Sequence, residues 1–438
     1  MMNARFAALQ TLERCRRDGA WSGRVLDRLS GSGELDRNEA ALAANLSIGV
    51  LQNSAFLDYY IDLARGSGKI EPKLRDILRL GAYQLFFLDK IPAHAAVNET
   101  VSLCHACGLG RASGLVNALL RKLSAWRGCL PEIPGKGTAA YLSTRYTQEL
   151  WFTERLIAQT DYAFCEAFFR ACNESSMIDL QVNTLKTTAE DFAQMLEKAE
   201  KTFCSAPFPR NCYSVPGGRI SEIPGFDEGL FYVQDRAAAM ALEIARPVAG
   251  MKVLDACAAP GGKSFAAAIR MDNRGEILSC DIHDKKLGLI SEGAERLGIT
   301  CLSALAQDAR LFRDEWLGAF DLVIADVPCS GFGVMRKKPE IRHKAADEVK
   351  QLPSIQRAVL ENVSRYVKPG GTLLYSTCTV LREENQEVVH AFLDGHPEFI
   401  PVDFSVDSRS SDMGCYTFWP HIDGTDGFFA AKLKRTER

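Results

Sequence analysis

The sequence predicts a multidomain protein: an all-α bundle, a small α+β module, and an α/β domain built on a parallel sheet. Three observations lead there. At 438 residues the chain is too long for one ordinary core. Its first third shows helical periodicity with no strand signal, and from about residue 236 short apolar strands alternate with helical segments.

In the first third, Phe6, Leu9, Leu12 and Cys15 keep three-residue spacing, and Leu78, Leu80, Tyr83, Leu85 and Phe86 continue an apolar helical pattern. Gly31-Ser32-Gly33, Gly66-Ser67-Gly68 and Gly108–Gly110 punctuate it, as short connections do in a bundle. The run Gly128–Gly137, rich in Gly and Pro, reads as a linker and sets the first domain at 1–135. Residues 136–235 mix a helix at Gln148–Cys172, strands at Ile178–Val182, Cys212–Val215 and Gly229–Val233, and a helix from Thr188 to Lys201. In 236–438, Lys252–Leu254, Glu276–Cys280, Leu302–Leu305, Leu322–Ala325 and Thr372–Tyr375 are short apolar strands separated by helices. Gly427–Leu433 reads as a final strand, antiparallel and at or near an edge.

Composition narrows the function classes. With 47% hydrophobic and 24% charged residues, the chain reads as a globular protein, and no apolar run approaches the roughly 18 residues that span a bilayer. The N-terminus has no signal-peptide core, so the expected compartment is the cytoplasm, without membrane association. Fourteen scattered cysteines then read as reduced thiols. Cys104 and Cys107 form a lone C-x-x-C with no second pair at zinc spacing, so no metal is expected. The net charge of −3 hides an asymmetry: residues 1–130 hold 17 Lys+Arg against 12 Asp+Glu, a net of +5. A basic N-terminal part suits a polyanionic partner.

The strand Met251–Asp255 breaks into Ala256-Cys257-Ala258-Ala259-Pro260-Gly261-Gly262-Lys263-Ser264, a glycine-containing turn where backbone can approach a ligand. The ending Gly-Lys-Ser suggests a phosphate loop, but Cys257 stands where that loop needs its first glycine. G-x-G-x-x-G is absent too, which disfavours a dinucleotide. The next strand ends at Asp281, whose carboxylate can accept from ribose hydroxyls, and Asp308 after the third strand can meet an adenine amino group. A nucleoside cofactor without pyrophosphate fits best, with S-adenosylmethionine leading and Lys263 a candidate partner for its carboxylate.

Two cysteines fall just beyond strand ends, where α/β enzymes place catalytic groups. Asp321–Asp326 leads into Val327-Pro328-Cys329, and Thr372–Tyr375 leads into Ser376-Thr377-Cys378. A thiolate that adds to C6 of a cytosine activates C5 towards an electrophilic methyl group. An acid beside N3, here Asp326, supports that step, and a second thiol can assist release.

The segments Asp326-Val327-Pro328-Cys329 and Ser376-Thr377-Cys378, with Asp255–Lys263 upstream, resemble the RNA cytosine-C5 methyltransferase family that includes the Nop2/Sun proteins. Val327 stands where the family usually has Ala, and Arg236, after Val233-Gln234-Asp235, where an acidic residue is common. The resemblance implies a Rossmann-like domain that binds S-adenosylmethionine through Asp255, Ala258–Lys263, Asp281, Asp308 and Asp326. It also implies Cys378 as nucleophile and Cys329 as the thiol of product release. Lys338-Pro339-Glu340-Ile341-Arg342 resembles the family's segment after Pro-Cys, and Lys338 and Arg342 are expected RNA contacts.

Pro92–Glu99 and Gly114–Lys122 resemble the helical RNA-binding domain of the antitermination factor NusB. Arg121, Lys122 and Arg127 near one helix end are candidate phosphate contacts. A NusB-like domain ahead of such a methyltransferase resembles the bacterial 16S ribosomal RNA family. A monomer acting on 16S RNA before full subunit assembly is the expectation. The same chemistry on transfer RNA or large-subunit RNA stays open, as does a non-catalytic antitermination or assembly factor.

Overall fold

Helix formation at the N-terminus follows from capping and apolar stripes. In the computed structural model, which describes residues 3–31, 33–206 and 208–437, the first helix is Ala4–Asp18. Asn3 accepts from the Phe6 N–H at its start, and Gly19 ends it in the left-handed conformation. Asp36 caps Arg37–Arg65 in the same way, accepting from Glu39 N–H. That 29-residue helix is long and apolar enough to cross a membrane by length and composition alone, which the run-length reading had not anticipated. Here it is a core helix: Leu46, Val50, Leu57 and Ile61 are buried against Leu78, Leu85, Leu120 and their neighbours.

By its contacts the chain forms two compact units, Met1–Asn173 with Lys337–Ala346, and Glu174–Arg336 with Asp347–Arg438. The first therefore runs past the linker expected at 135, because the helices Ala139–Tyr146, Leu150–Gln159 and Tyr162–Ala171 pack with it. The single helix expected over 148–172 is two. Asp161 leaves helical geometry and accepts from Phe164 N–H, so it starts a new helix.

The segment 337–346 corrects one site expectation. Arg342 is fully buried in the first unit, where its guanidinium donates to the carbonyls of Tyr146 at 2.8 Å and Cys172 at 2.7 Å. Its charge pattern read as an RNA contact, but both terminal nitrogens are spent on backbone carbonyls inside the first unit.

In the second unit, β1 (Ile178–Val182), β2 (Cys204–Ser205), β3 (Cys212–Val215) and β4 (Phe231–Val233) form an antiparallel sheet in the order β2-β3-β1-β4. Leu180, Val182, Phe192, Leu196, Val215 and Phe231 make its core. The large sheet comprises β5 (Lys252–Asp255), β6 (Glu276–Asp281), β7 (Leu302–Ala306), β8 (Phe320–Asp326), β9 (Val367–Thr377) and β10 (Phe399–Pro401). A small ribbon, β11 (Ser405–Val406) with β12 (Arg409–Ser410), precedes β13 (Cys415–Phe418) and β14 (Phe428–Arg435), which return to the large sheet.

The large sheet runs β10-β14-β9-β8-β5-β6-β7, with β9 to β7 parallel. β14 is antiparallel to β9, and β10 pairs its other side, so the last strand lies one position inside the edge. The chain moves outward from β5 to β7, then crosses to β8 on the other flank of β5. Strand order reverses between β5 and β8, and at their C-terminal ends such sheets open a ligand crevice.

Candidate active site

The crevice collects most of the residues singled out in sequence. β5 ends at Asp255, β6 at Asp281 and β8 at Asp326, while Cys329 and Cys378 follow β8 and β9. Asp326 pairs in register with Ser376, so the two cysteine-bearing loops leave adjacent strands side by side.

Asp255 is fully buried beneath the turn. One carboxylate oxygen accepts from the Ser264 hydroxyl at 2.7 Å, and Ser264 in turn accepts from Ser279 at 2.7 Å. The other oxygen has no hydrogen-bond partner. Burial is the main cause of its pKa rising to about 7, since desolvation disfavours the charged form. Ala258, Ala259 and Pro260 lead to Gly261, at φ 113°, where any Cβ would stand 2.5 Å from the Phe265 ring. Gly262 then opens the helix Gly262–Arg270. Asp281, also buried, accepts from His283 N–H at 2.9 Å and lies 3.7 Å from the Lys286 ammonium.

Within the protein, Lys263 is paired with a carboxylate of the same crevice. Its ammonium, in a nearly buried side chain, pairs with Asp326 at 2.6 Å and lies over the Phe428 ring, 5.1 Å from the centroid. The Ser376 hydroxyl donates to the other Asp326 oxygen at 2.7 Å. Asp308 is half-buried, but its carboxylate is gripped by the Arg310 guanidinium at 2.7–3.2 Å. That side-chain hydrogen bonding holds its pKa below the usual carboxylate range.

The two sulfurs stand 3.1 Å apart, and Cys378 N–H donates to the Cys329 sulfur at 3.3 Å. Hydrogen bonding with the Cys378 thiol, then burial, holds the Cys329 thiol well above its ordinary pKa. Either sulfur can be the donor in this contact. Gly333 N–H donates to the Cys378 carbonyl at 2.9 Å, and Gly427 N–H to the Gly333 carbonyl at 2.9 Å. A Cβ on Gly333 would fall 1.9 Å from the Gly427 carbonyl oxygen, so only glycine permits this approach.

Gly333 escaped the sequence reading, and Ser264 and Ser376 entered it only as motif members without a role. Serines and glycines are common, and their role comes from contacts across the sheet rather than from local spacing.

The basic candidates divide. Arg121 is exposed. Lys122, also exposed, donates to the Ala64 carbonyl at 2.8 Å, and half-buried Arg127 donates to those of Leu88 and Ile91 at 3.5 and 3.4 Å. Lys338 is exposed, its ammonium 5.4 Å from the Trp21 ring centroid. Arg16, Arg75 and Arg79 are committed to Asp76, Asp58 and Asp62, which leaves the net charge of this part unchanged but engages these three guanidiniums within the fold. Among the described residues, no group of three His, Cys, Asp or Glu side chains is arranged to hold a metal.

Comparison with known proteins agrees with this architecture. Residues 241–434 match the family model for the 16S rRNA methyltransferase RsmB/F, and residues 2–125 match the NusB family model. The chain is 32% identical over 447 aligned residues to a probable ribosomal RNA small subunit methyltransferase B of Bacillus subtilis, covering 99% of each chain. It is 30% identical to the ribosomal RNA small subunit methyltransferase B of Erwinia tasmaniensis, again over 99% of each. Among solved structures, that of PH0851 superposes with a TM-score of 0.83 at 25% identity over 99% of each chain. A methyltransferase homologue from Pyrococcus horikoshii gives 0.58 at 25% identity, covering 66% of this chain and 95% of that one.

Proposed function

The chain belongs to the RsmB/F family of 16S rRNA methyltransferases, and from that premise we propose that it methylates C5 of a cytosine in 16S RNA through a covalent cysteine adduct. The observation that carries this reading is the pair of sulfurs 3.1 Å apart, at the ends of neighbouring parallel strands beside Asp326.

The cofactor of this methyltransferase family is S-adenosylmethionine, and the crevice suits it. Asp281 and Asp326 are offset by Lys286 and Lys263, so the crevice carries no free cation cluster of the kind that holds a phosphate, and buried Asp255 adds an acceptor rather than a positive charge. The unpartnered buried oxygen of Asp255 is an acceptor awaiting a donor. Asp255, the turn Ala258–Lys263 and Asp281 would hold the cofactor, with Asp308 available at the adenine side once Arg310 yields. When bound, it supplies an electrophilic methyl group to C5.

Cys378 attacks C6 of the cytosine as a thiolate, stabilised by the hydrogen bond that the protonated Cys329 donates. Asp326, held by Lys263 and Ser376, faces N3 and steadies the charge that develops on the ring. After methylation a base takes the C5 proton, the C6–sulfur bond breaks with its electron pair leaving on the Cys378 sulfur, and Cys329 assists that release. The cytosine must be unpaired or splayed from its helix, because C6 is not accessible to a side chain within a stacked duplex. The NusB-like helical domain, with Arg121 exposed, and the segment 337–346, with Lys338 exposed, contribute RNA contacts, and the substrate is 16S RNA before full subunit assembly. On this reading the protein acts in the cytoplasm as a monomer.

The test incubates the protein with tritium-labelled methyl donor and unmodified 16S RNA, with transfer RNA in parallel, and resolves products on denaturing gels. Label at one 5-methylcytosine is expected. Cys378→Ala abolishes it, whereas Cys329→Ala traps a protein–RNA adduct. Normal product from Cys378→Ala overturns the mechanism, and label in transfer RNA alone overturns the substrate.

A further inference from the structure

The ladder between β8 and β9 ends at Asp326 and Ser376, yet the sulfurs that must cooperate lie beyond it. Something other than sheet pairing must hold the two loops in register. Two adjacent residues reach both. Glu384 accepts from the Ser330 N–H at 2.9 Å and from the Gln356 amide at 2.8 Å, and that amide also donates to the Pro328 carbonyl at 3.0 Å. Glu384 and Gln356 thus hold the backbone on either side of Cys329. Asn385 accepts from the Thr377 hydroxyl at 2.6 Å and donates to the Thr379 carbonyl at 3.0 Å, so it holds both flanks of Cys378. Ser330 and Thr379 hydroxyls join the two loops directly at 2.7 Å.

We propose that Glu384 and Asn385 are positioning residues that set the separation of the two thiols, Glu384 through the Cys329 loop and Asn385 through the Cys378 loop. Both are buried, at 1% and 0% exposure. A buried carboxylate is a costly way to fill space, and an apolar residue of similar volume would be cheaper for stability alone. One Glu384 oxygen even lacks a partner. What an apolar side chain cannot do is accept the Ser330 N–H and orient Gln356. The backbone carbonyl of Glu384 is held in turn by the Tyr375 hydroxyl at 2.6 Å, which fixes this turn to β9.

The proposal rests on the two-cysteine reading, so its test has one arm that needs RNA and one that does not. In the first, Asn385→Ala should lose adduct formation, whereas Glu384→Ala should still attack and then release slowly, accumulating adduct as Cys329→Ala does. Glu384→Gln restores an acceptor for Ser330 and should return release towards the parent rate. In the second, diamide oxidises the two thiols to a disulfide and is itself reduced to the hydrazine. Mass spectrometry of the Cys329–Cys378 peptide pair then gives the rate. Both alanine variants should slow it by about tenfold or more, as misplaced reacting groups do. Parent-like oxidation in both overturns the clamp. Binding of S-adenosylhomocysteine and the melting temperature identify a variant that has not folded, in which case Glu384→Gln and Asn385→Asp decide. If Cys329→Ala traps no adduct, the two-cysteine reading fails while the oxidation rates still judge the clamp.

Discussion

The Lys263 ammonium and an Asp326 oxygen meet at 2.6 Å across the strand-order reversal, one from the helix start after β5 and the other from the end of β8. The pair joins the two halves of the crevice, and Ser376 fixes the second Asp326 oxygen from β9. Asp326→Asn keeps the shape but removes the charge beside the target ring. Methyl transfer should fall by about 100-fold or more, the scale of a lost acid–base group. Single-turnover kinetics check this; an unchanged rate removes Asp326 from the chemistry.

Asp255 predicts a pH dependence of stability. Its pKa rises from 3.8 to about 7 on folding, chiefly through burial. Below pH 4 both states are protonated and there is no difference. Between pH 4 and 7 the unfolded state loses its proton while the folded state keeps it, so stability falls as pH rises, and the loss levels off above 7. Asp255→Asn lacks this term. Relative to the parent protein, it should gain about 3 kcal/mol between pH 5 and pH 8. Urea unfolding of both proteins at the two pH values measures the difference, and equal shifts would refute the burial effect.

Gly333 tests the close approach of the loops. An added Cβ meets the Gly427 carbonyl at 1.9 Å, which forces backbone apart. Gly333→Ala should cost about 1–3 kcal/mol, as overpacking does. It should also weaken the Gly333–Cys378 hydrogen bond and reduce adduct formation, read by denaturing gel. Gly114→Ala, where a Cβ meets nothing within 4 Å, is the control.

Arg342 and Arg121 separate structure from RNA contact. Arg342→Ala leaves the Tyr146 and Cys172 carbonyls without their donor and should destabilise by about 2–4 kcal/mol. The salt dependence of RNA binding should stay as it was. Arg121→Ala should leave stability unchanged and lower the salt slope by about one, as loss of one phosphate contact does. Filter binding at several salt concentrations distinguishes the two.

Much of the catalytic sheet was legible because buried parallel strands are short apolar runs with chemistry at their ends. Ile178–Val182 and Cys212–Val215 fall where the sequence placed them, and β5 to β8 depart only by a residue or two at their ends. The break between Gln159 and Tyr162 was missed because Asp161 reads as a surface residue until its cap is seen. Arg342 was misread because an arginine in a basic, proline-containing segment looks the same whether it meets phosphate or buried carbonyls. Glu384 and Asn385 gave no signal, since a Glu-Asn pair at a helix start is ordinary.

The sequence by itself determined which groups we propose to react: Cys329, Cys378, Asp326 and the turn from Asp255 to Lys263 are set by residue type and by their place at strand ends. Only the tertiary structure decided how those groups meet. The sulfurs are 49 residues apart in sequence and 3.1 Å apart in space. That separation depends on hydrogen bonds a few tenths of an ångström wide in tolerance, made by residues from several elements, and no local pattern encodes them.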